Sequence, residues 1–266
     1  MARAGKKHSG AAESSRRSSL EKMLDILDLF EEERLRWTPE QMMARLGCTR
    51  STLYRYLRVL SNVGLVTALP DIGYTLGPRI AELDYEMRSS DPLITNGRPL
   101  LLALVKEIAG VGLLCRFYRD RVLCVHQEAS SDAIRSAYDR GRAMPVARGA
   151  ASRMILAHLK TVRLSLLYSS QSREFSQVGL GDTLEQVQAN LLRIRKQGYC
   201  LSRGEVTPGV VGIAAPVFDS EREIIGSLSI TVADAGINER RRRFLIDRIV
   251  FSAEVLTNAM RRTGTG

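Results

Sequence analysis

The chain is short of the patterns that most chemistry needs. Its four cysteines, Cys48, Cys115, Cys124 and Cys200, are scattered with no CxxC pair. That argues against a zinc-ribbon or thioredoxin-like motif and against a disulfide framework. The three histidines, His8, His126 and His158, keep no ligand spacing with those cysteines, so neither a metal nor any other cofactor is expected. GxSxG, a P-loop and a helix-opening GxGxxG are all missing. Hydrolases, nucleotide-dependent enzymes and dehydrogenases thus lose their usual signatures, and the chain reads as a non-enzyme. No apolar run approaches the ~20 residues of a membrane span, and the charged, Ser-rich N-terminus is no signal peptide. A reduced, cytoplasmic protein away from the membrane is the expectation.

What is present is a soluble globular composition: 266 residues, 44% hydrophobic and 26% charged, enough for two domains. The net charge of +10 fits a nucleic-acid partner. Residues 1–90 hold 14 Lys/Arg against 12 Asp/Glu, and residues 91–266 hold 25 against 17, so most of the excess lies in the second part. Within the first part the charge is segregated: residues 36–69 carry five bases and one acid, and phosphate attraction follows such local fields. Residues 1–18 are low in apolar content and basic, and read as a disordered tail or as an arm that tracks phosphates.

Residues 38–63, TPEQMMARLGCTRSTLYRYLRVLSNV, have the layout of two helices joined by a tight turn. Thr38 and Pro39 form a start signal, with proline in the first turn, where its missing N–H is not needed. Met42, Met43 and Leu46 make an apolar stripe and Gly47 supplies the stop. Thr49 is a second cap, after which Leu53, Leu57 and Leu60 recur on one face. Arg50, Ser51, Tyr54, Arg55 and Arg58 occupy the opposite face. This is either a helical hairpin with a solvated basic side or a helix-turn-helix whose second helix probes a DNA major groove. Residues 64–77 then read as two short strands, 65–69 and 74–76, around Pro70-Asp71-Ile72-Gly73. A small hairpin behind the second helix makes the motif a winged helix-turn-helix. Its tip carries Asp71 and no base, so it is expected to pack rather than to grip phosphates.

Arginine can pair bidentately with guanine, whereas hydroxyls mostly position the backbone. The candidate DNA contacts are therefore Thr38, Thr49, Arg50, Ser51, Thr52, Tyr54, Arg55 and Arg58, with Arg50 on a base edge and Arg58 either on phosphate or simply solvated. One recognition helix reads too few base pairs, so a dimer on a pseudo-palindromic site of double-stranded DNA is expected.

Around this motif, a first helix is expected over 19–33, Trp37 as a plug, and a linker helix over 78–88 able to pair with its copy in a second chain. Ser90, Asp91 and Pro92 mark a boundary, giving a tail (1–18), a winged helix-turn-helix (19–77), a linker (78–91) and a second domain (92–266). In that domain helices are expected at 93–109, 149–159, 161–168, 182–197 and 238–261. Strands are expected at 111–118, 121–128, 209–217 and 223–232, with an irregular loop and one possible strand in 130–148. The fold class is α+β, a central antiparallel sheet flanked by helices, suited to sensing a small molecule.

Several stretches resemble the IclR family of transcriptional regulators: LGCTRSTLYRYLRVLSNVGLV, GYTLGPRIAEL, GRAMPVARGAASRMILA and IRKQGYCLSRGEVTPGVVGIAAPVFDSEREIIGSLSIT. The resemblance runs from about Ser19 to Met260. It implies a GAF-like effector domain, homodimers that pair into dimers of dimers, and control of a catabolic operon by small organic acids or aromatic compounds such as a hydroxybenzoate. Carried over by position, the effector pocket consists of Gly149, Ala150, Ser202, Glu205, Val210, Gly212, Ser229 and Thr231. A helix start at Gly149 offers N–H groups to a carboxylate, and Ser229 and Thr231 share one face of a strand. Arg148 is a further candidate anchor, not distinguished by spacing from Arg142 or Arg153. The chain departs from the pattern in reading Gly-Ala-Ala-Ser-Arg where relatives have Gly-Lys-Ala, and Ser202 where some place an acid. Ligand is expected to shift a two-state equilibrium through the linker. A thiol-based sensor using the cysteines and a sensing adaptor without DNA binding are the rival readings.

Overall fold

A computed structural model describes residues 18–31, 33–130 and 139–263; the expected tail, Ser18 apart, lies outside them. The chain divides into two compact units, Met1–Arg88 and Ser89–Gly266.

In the first unit, Ser18 caps α1 (Ser19–Leu24) through a reciprocal box with Glu21. The helix is shorter than the expected 19–33. It ends at Asp25, a single 3-10 turn follows at Leu27–Leu29, and Glu31 bridges Arg34. The cause is tertiary: the Leu29 carbonyl accepts the Trp37 indole N–H at 2.8 Å, so the chain must double back before Trp37. Helix α2 (Pro39–Leu46) starts at the Thr38 cap with Pro39 in its first turn and stops at Gly47 in the left-handed region, φ 64°. Helix α3 (Arg50–Asn62) is capped by Thr49 and buries Leu53, Tyr56, Leu57 and Leu60. These pack with Ile26, Trp37, Met42 and Val66 into one core.

Strands β1 (Val66–Leu69) and β2 (Gly73–Leu76) form the wing. Trp37 and Tyr74 exchange both backbone hydrogen bonds, at 3.0 and 2.8 Å, which ties the wing to the start of α2. Gly73 sits at φ 113°, and a Cβ there would lie 2.4 Å from the Trp37 carbonyl oxygen. Gly73→Ala is therefore expected to destabilise this unit by ~2–4 kcal/mol, against ~1–2 for Gly47→Ala, whose site is open. Denaturant unfolding followed by Trp37 fluorescence measures both. Equal losses would mean the wing junction is not tight. Helix α4 (Arg79–Ser90) is two residues longer at its end than expected and has no buried residue.

The second unit opens with α5 (Pro92–Glu107), capped by the Asp91 carboxylate, which accepts Leu93 N–H at 2.9 Å. A six-stranded antiparallel sheet follows, built from β3 (Val111–Tyr118), β4 (Arg121–Ala129), β5 (Ala143–Met144), β6 (Cys200–Arg203), β7 (Val210–Phe218) and β8 (Ile224–Ala233). Their order is β5-β4-β3-β8-β7-β6. Alternation sorts the faces. Val211, Ile213, Ala215 and Val217 of β7 and Leu228, Ile230 and Val232 of β8 pack with α5 and with α9 (Glu239–Thr263). The other face packs against α6 (Ala150–Leu156), α7 (Thr161–Gln177) and α8 (Leu184–Gln197).

Four expectations change here. Helix α6 is seven residues long, shorter than 149–159. Helix α7 continues past Tyr168 to Gln177, with non-helical Gln171 at φ −136° inside it, because Phe175 is fully buried and pins the second half. Asp182, whose side chain predicts the cap of the 182–197 helix, is not the cap: Thr183 caps α8, and the Asp182 carboxylate accepts from Ser176. The short strand β6 lay in a stretch given no strand. The possible strand of 130–148 is β5; residues 131–138 lie outside the described ones.

Candidate functional site

The outward face of α3 presents Arg50, Ser51, Tyr54, Arg55 and Arg58, all exposed. Among the described residues none of its three guanidiniums is paired with a carboxylate. Arg50 lies with its Cζ 5.6 Å from the centre of the Tyr54 ring, and Arg55 sits 5.5 Å from the Tyr56 ring, so both are steered by aromatic neighbours. The hydroxyls expected to touch DNA are partly committed. Thr49 Oγ1 accepts the Thr52 N–H at 3.4 Å and donates to Thr52 Oγ1 at 3.0 Å. Thr38 Oγ1 caps Gln41 N–H at 3.4 Å. These three position the helices, which leaves the arginines, Ser51 and Tyr54 as the free part of the face.

The effector candidates meet in the second unit. Strand register puts Ser202 opposite Gly212 and Gly212 opposite Thr231, a row across β6, β7 and β8 that faces α6. A cavity there is lined by Gly149, Ala150, Ser202, Glu205, Val210, Gly212, Ser229 and Thr231, together with Leu113, Met144 and Thr207. Gly212 keeps its floor open, since a Cβ would come 3.2 Å from Ser202 Oγ. Ser229 Oγ is buried without a hydrogen-bond partner among the described residues, the kind of orphan a bound molecule satisfies. The space is about 30 Å³, far below the ~300–1,000 Å³ of a typical ligand pocket.

Arg148 does not line this cavity; its guanidinium reaches Gln177 Oε1 at 3.4 Å on the exposed side. Arg153, one helical turn after Gly149, is the arginine that turns inward. It contacts Glu205 Oε1 at 2.8 Å and donates to the Ala147 and Val178 carbonyls at 3.0 and 3.1 Å. The helix start expected to offer open N–H groups is already occupied: Gly149 N–H donates to Glu205 Oε2 and Ala150 N–H to Ser202 Oγ, each at 3.0 Å.

Cys115 and Cys124 face each other across β3 and β4, and Cys115, Cys124 and Cys200 are buried. A hydrogen bond to Cys124, then burial, raise the Cys115 thiol, and burial pushes Cys200 up to about 12. Neither supplies a thiolate at neutral pH.

Two family models match the chain, the IclR helix-turn-helix domain over residues 19–70 and the IclR C-terminal domain of bacterial transcriptional regulators over residues 87–257. The chain belongs to the IclR family. Among curated IclR relatives, the HTH-type transcriptional regulator BhcR of Paracoccus denitrificans is 27% identical over 94% of this chain and 90% of its own. XynR of Escherichia coli, another HTH-type transcriptional regulator, is 29% identical over 83% and 88%. The fold matches an IclR regulator structure from Silicibacter with a TM-score of 0.78 at 18% identity, over 92% of this chain and 96% of that one. An IclR homolog from Microbacterium hydrocarbonoxydans, solved with 4-hydroxybenzoate, superposes with a TM-score of 0.73 at 20% identity, over 92% and 100%. IclR proteins are transcriptional regulators rather than enzymes, and no helix among the described residues is long and apolar enough to cross a membrane.

Sequence reasoning left Arg153 undistinguished from Arg148 and Arg142, and missed the apolar liners Leu113 and Met144. For Arg153 a signal existed: residues four apart on a helix share a face, so position 153 follows Gly149 toward the sheet, whereas 148 precedes the helix.

Proposed function

We propose that this protein is a sequence-specific DNA-binding regulator of a catabolic operon whose DNA affinity is set by a small organic acid in its second unit. The observation that carries the reading is the exposed basic face of α3, free of carboxylates, in a chain of the IclR family. Thr38, Thr49 and Thr52 serve by fixing the two helices, and Arg50, Ser51, Tyr54, Arg55 and Arg58 meet the duplex. Two copies bind a pseudo-palindromic operator, and dimers pair further into tetramers, with α4 as the element that links copies and relays ligand state.

The effector site is the cavity beneath α6, where the orphan hydroxyl of Ser229 waits for a polar ligand atom. An aromatic carboxylate of the hydroxybenzoate kind is favoured, since the Microbacterium relative was solved with 4-hydroxybenzoate.

The test is a mobility shift with the promoter beside the protein's own gene, at stated salt, with and without organic acids. Saturable retention that an acid alters by about tenfold, within the usual range of allosteric coupling, supports the proposal. No retarded band at micromolar protein and low salt leaves the sensing-adaptor reading in its place.

A further inference from the structure

The cavity is too small for any aromatic acid, so binding one requires a wall to move. Two of its walls are fixed. The floor is strands hydrogen-bonded in a six-stranded sheet, with β7 and β8 in its interior and β6 at its edge, and every residue of α6 except Arg153 is buried. The remaining wall is the loop between β6 and β7, residues 204–209. Gly204 and Gly209 flank it at φ 64° and 75°, each with open space around the position of a Cβ, so both ends can rotate without a steric penalty. Backbone bonds close its ends, Gly204 N–H to the Val210 carbonyl and Asp234 N–H to the Gly209 carbonyl, each at 2.9 Å, Val206 packs on the core, and one polar side chain ties it to α6. Glu205 spans Gly149 N–H at 3.0 Å and the Arg153 guanidinium at 2.8 Å.

The charges explain why that contact is there. The Arg153 side chain is only 13% exposed, and a cation so placed is costly without a carboxylate. Among the described residues Glu205 is the carboxylate that meets it. It stands where a bound acid's carboxylate would otherwise stand, with one oxygen on a backbone N–H and one on a guanidinium.

We infer that Glu205 is a resident anion and that an acid effector binds by exchange, its carboxylate taking over Arg153 while the 204–209 loop is released. This rests on the effector-site reading proposed above. Exchange keeps Arg153 paired throughout, so the opening is open to carboxylates and closed to neutral isosteres. Those would have to leave the guanidinium without a counter-charge. The released loop joins β6 to β7 and carries Val206, which packs on the core cluster beneath α6, so ligand occupancy is transmitted as loss of that contact.

The test compares wild type with Glu205→Gln, which preserves size and removes charge. Calorimetric titration with 4-hydroxybenzoate should show binding tighter by about tenfold or more in the variant, while 4-hydroxybenzamide changes by less than about threefold. Equal or weaker acid binding in Glu205→Gln overturns the exchange, and so does an amide gain as large as the acid's. Hydrogen exchange on Glu205→Ala reads the latch without any ligand. The Gly204 amide, which bonds the Val210 carbonyl across the loop's ends, should exchange about tenfold faster or more, with β7 and β8 unchanged. Unchanged loop protection overturns the inference whatever binds. If the loop loosens but 4-hydroxybenzoate and benzoate bind neither protein, the exchange falls together with the acid-effector reading, and the loosened loop places the fault in that reading rather than in the latch.

Discussion

Replacing Arg50 by alanine is expected to remove most operator-specific affinity while sparing the fold. Arg50 opens α3 and is exposed, so its loss leaves the core of Leu53, Leu57 and Leu60 intact. A bidentate guanine contact is worth ~1–3 kcal/mol. In a dimer both half-sites lose it, which multiplies to a roughly 30-fold to 10⁴-fold weaker specific complex. Arg58→Ala, two turns further along α3, should instead weaken specific and random duplex alike and lower the salt slope by about one per half-site. Fluorescence anisotropy on operator and scrambled DNA across a salt series separates the two behaviours. An Arg50→Ala protein that still prefers its operator as strongly as wild type would mean that another surface reads the bases.

The second large effect is on stability. Phe175→Ala deletes a fully buried ring from the core beneath α6, α7 and α8. It also removes the edge-on partner of Tyr168, 5.6 Å away centre to centre. Such truncations cost about 3–5 kcal/mol, which for a unit of this size lowers the melting temperature by about 6–20 °C. Exposed Arg173→Ala, two residues away, should shift it little. Calorimetry settles the matter: a loss for Phe175→Ala no greater than for Arg173→Ala would mean that residues 169–177 do not dock as described.

That segment also shows where reading the residues stopped short. The helices of the first unit were legible because their ends are marked by local chemistry, with Thr38, Pro39, Gly47 and Thr49 each performing a task decided within four residues of itself. The second half of α7 was not, because Ser169, Ser170, Ser172 and Ser176 compete for the backbone in isolation. Burial of Phe175, a contact remote in sequence, decides the outcome. Strand β6 escaped for a similar reason: Cys200 and Ser202 point inward, but four residues carry too short an alternation to stand out. The α1 boundary depended on Trp37 binding Leu29, eight residues away. At the pocket, the family pattern supplied positions, and eight of the nine named line one cavity. What it could not supply was occupancy. That the N–H groups of Gly149 and Ala150 are already taken follows from where Glu205 and Ser202 fall in space, more than fifty residues later.

Trp37 is the chain's sole tryptophan, and it lies buried at the junction of wing and helix pair. Its near-ultraviolet emission is thus a private optical channel for the first unit, while the second unit is visible only through tyrosine. Excitation at the red edge of the indole band therefore records melting of one half of the molecule undisturbed by the other, with no label attached.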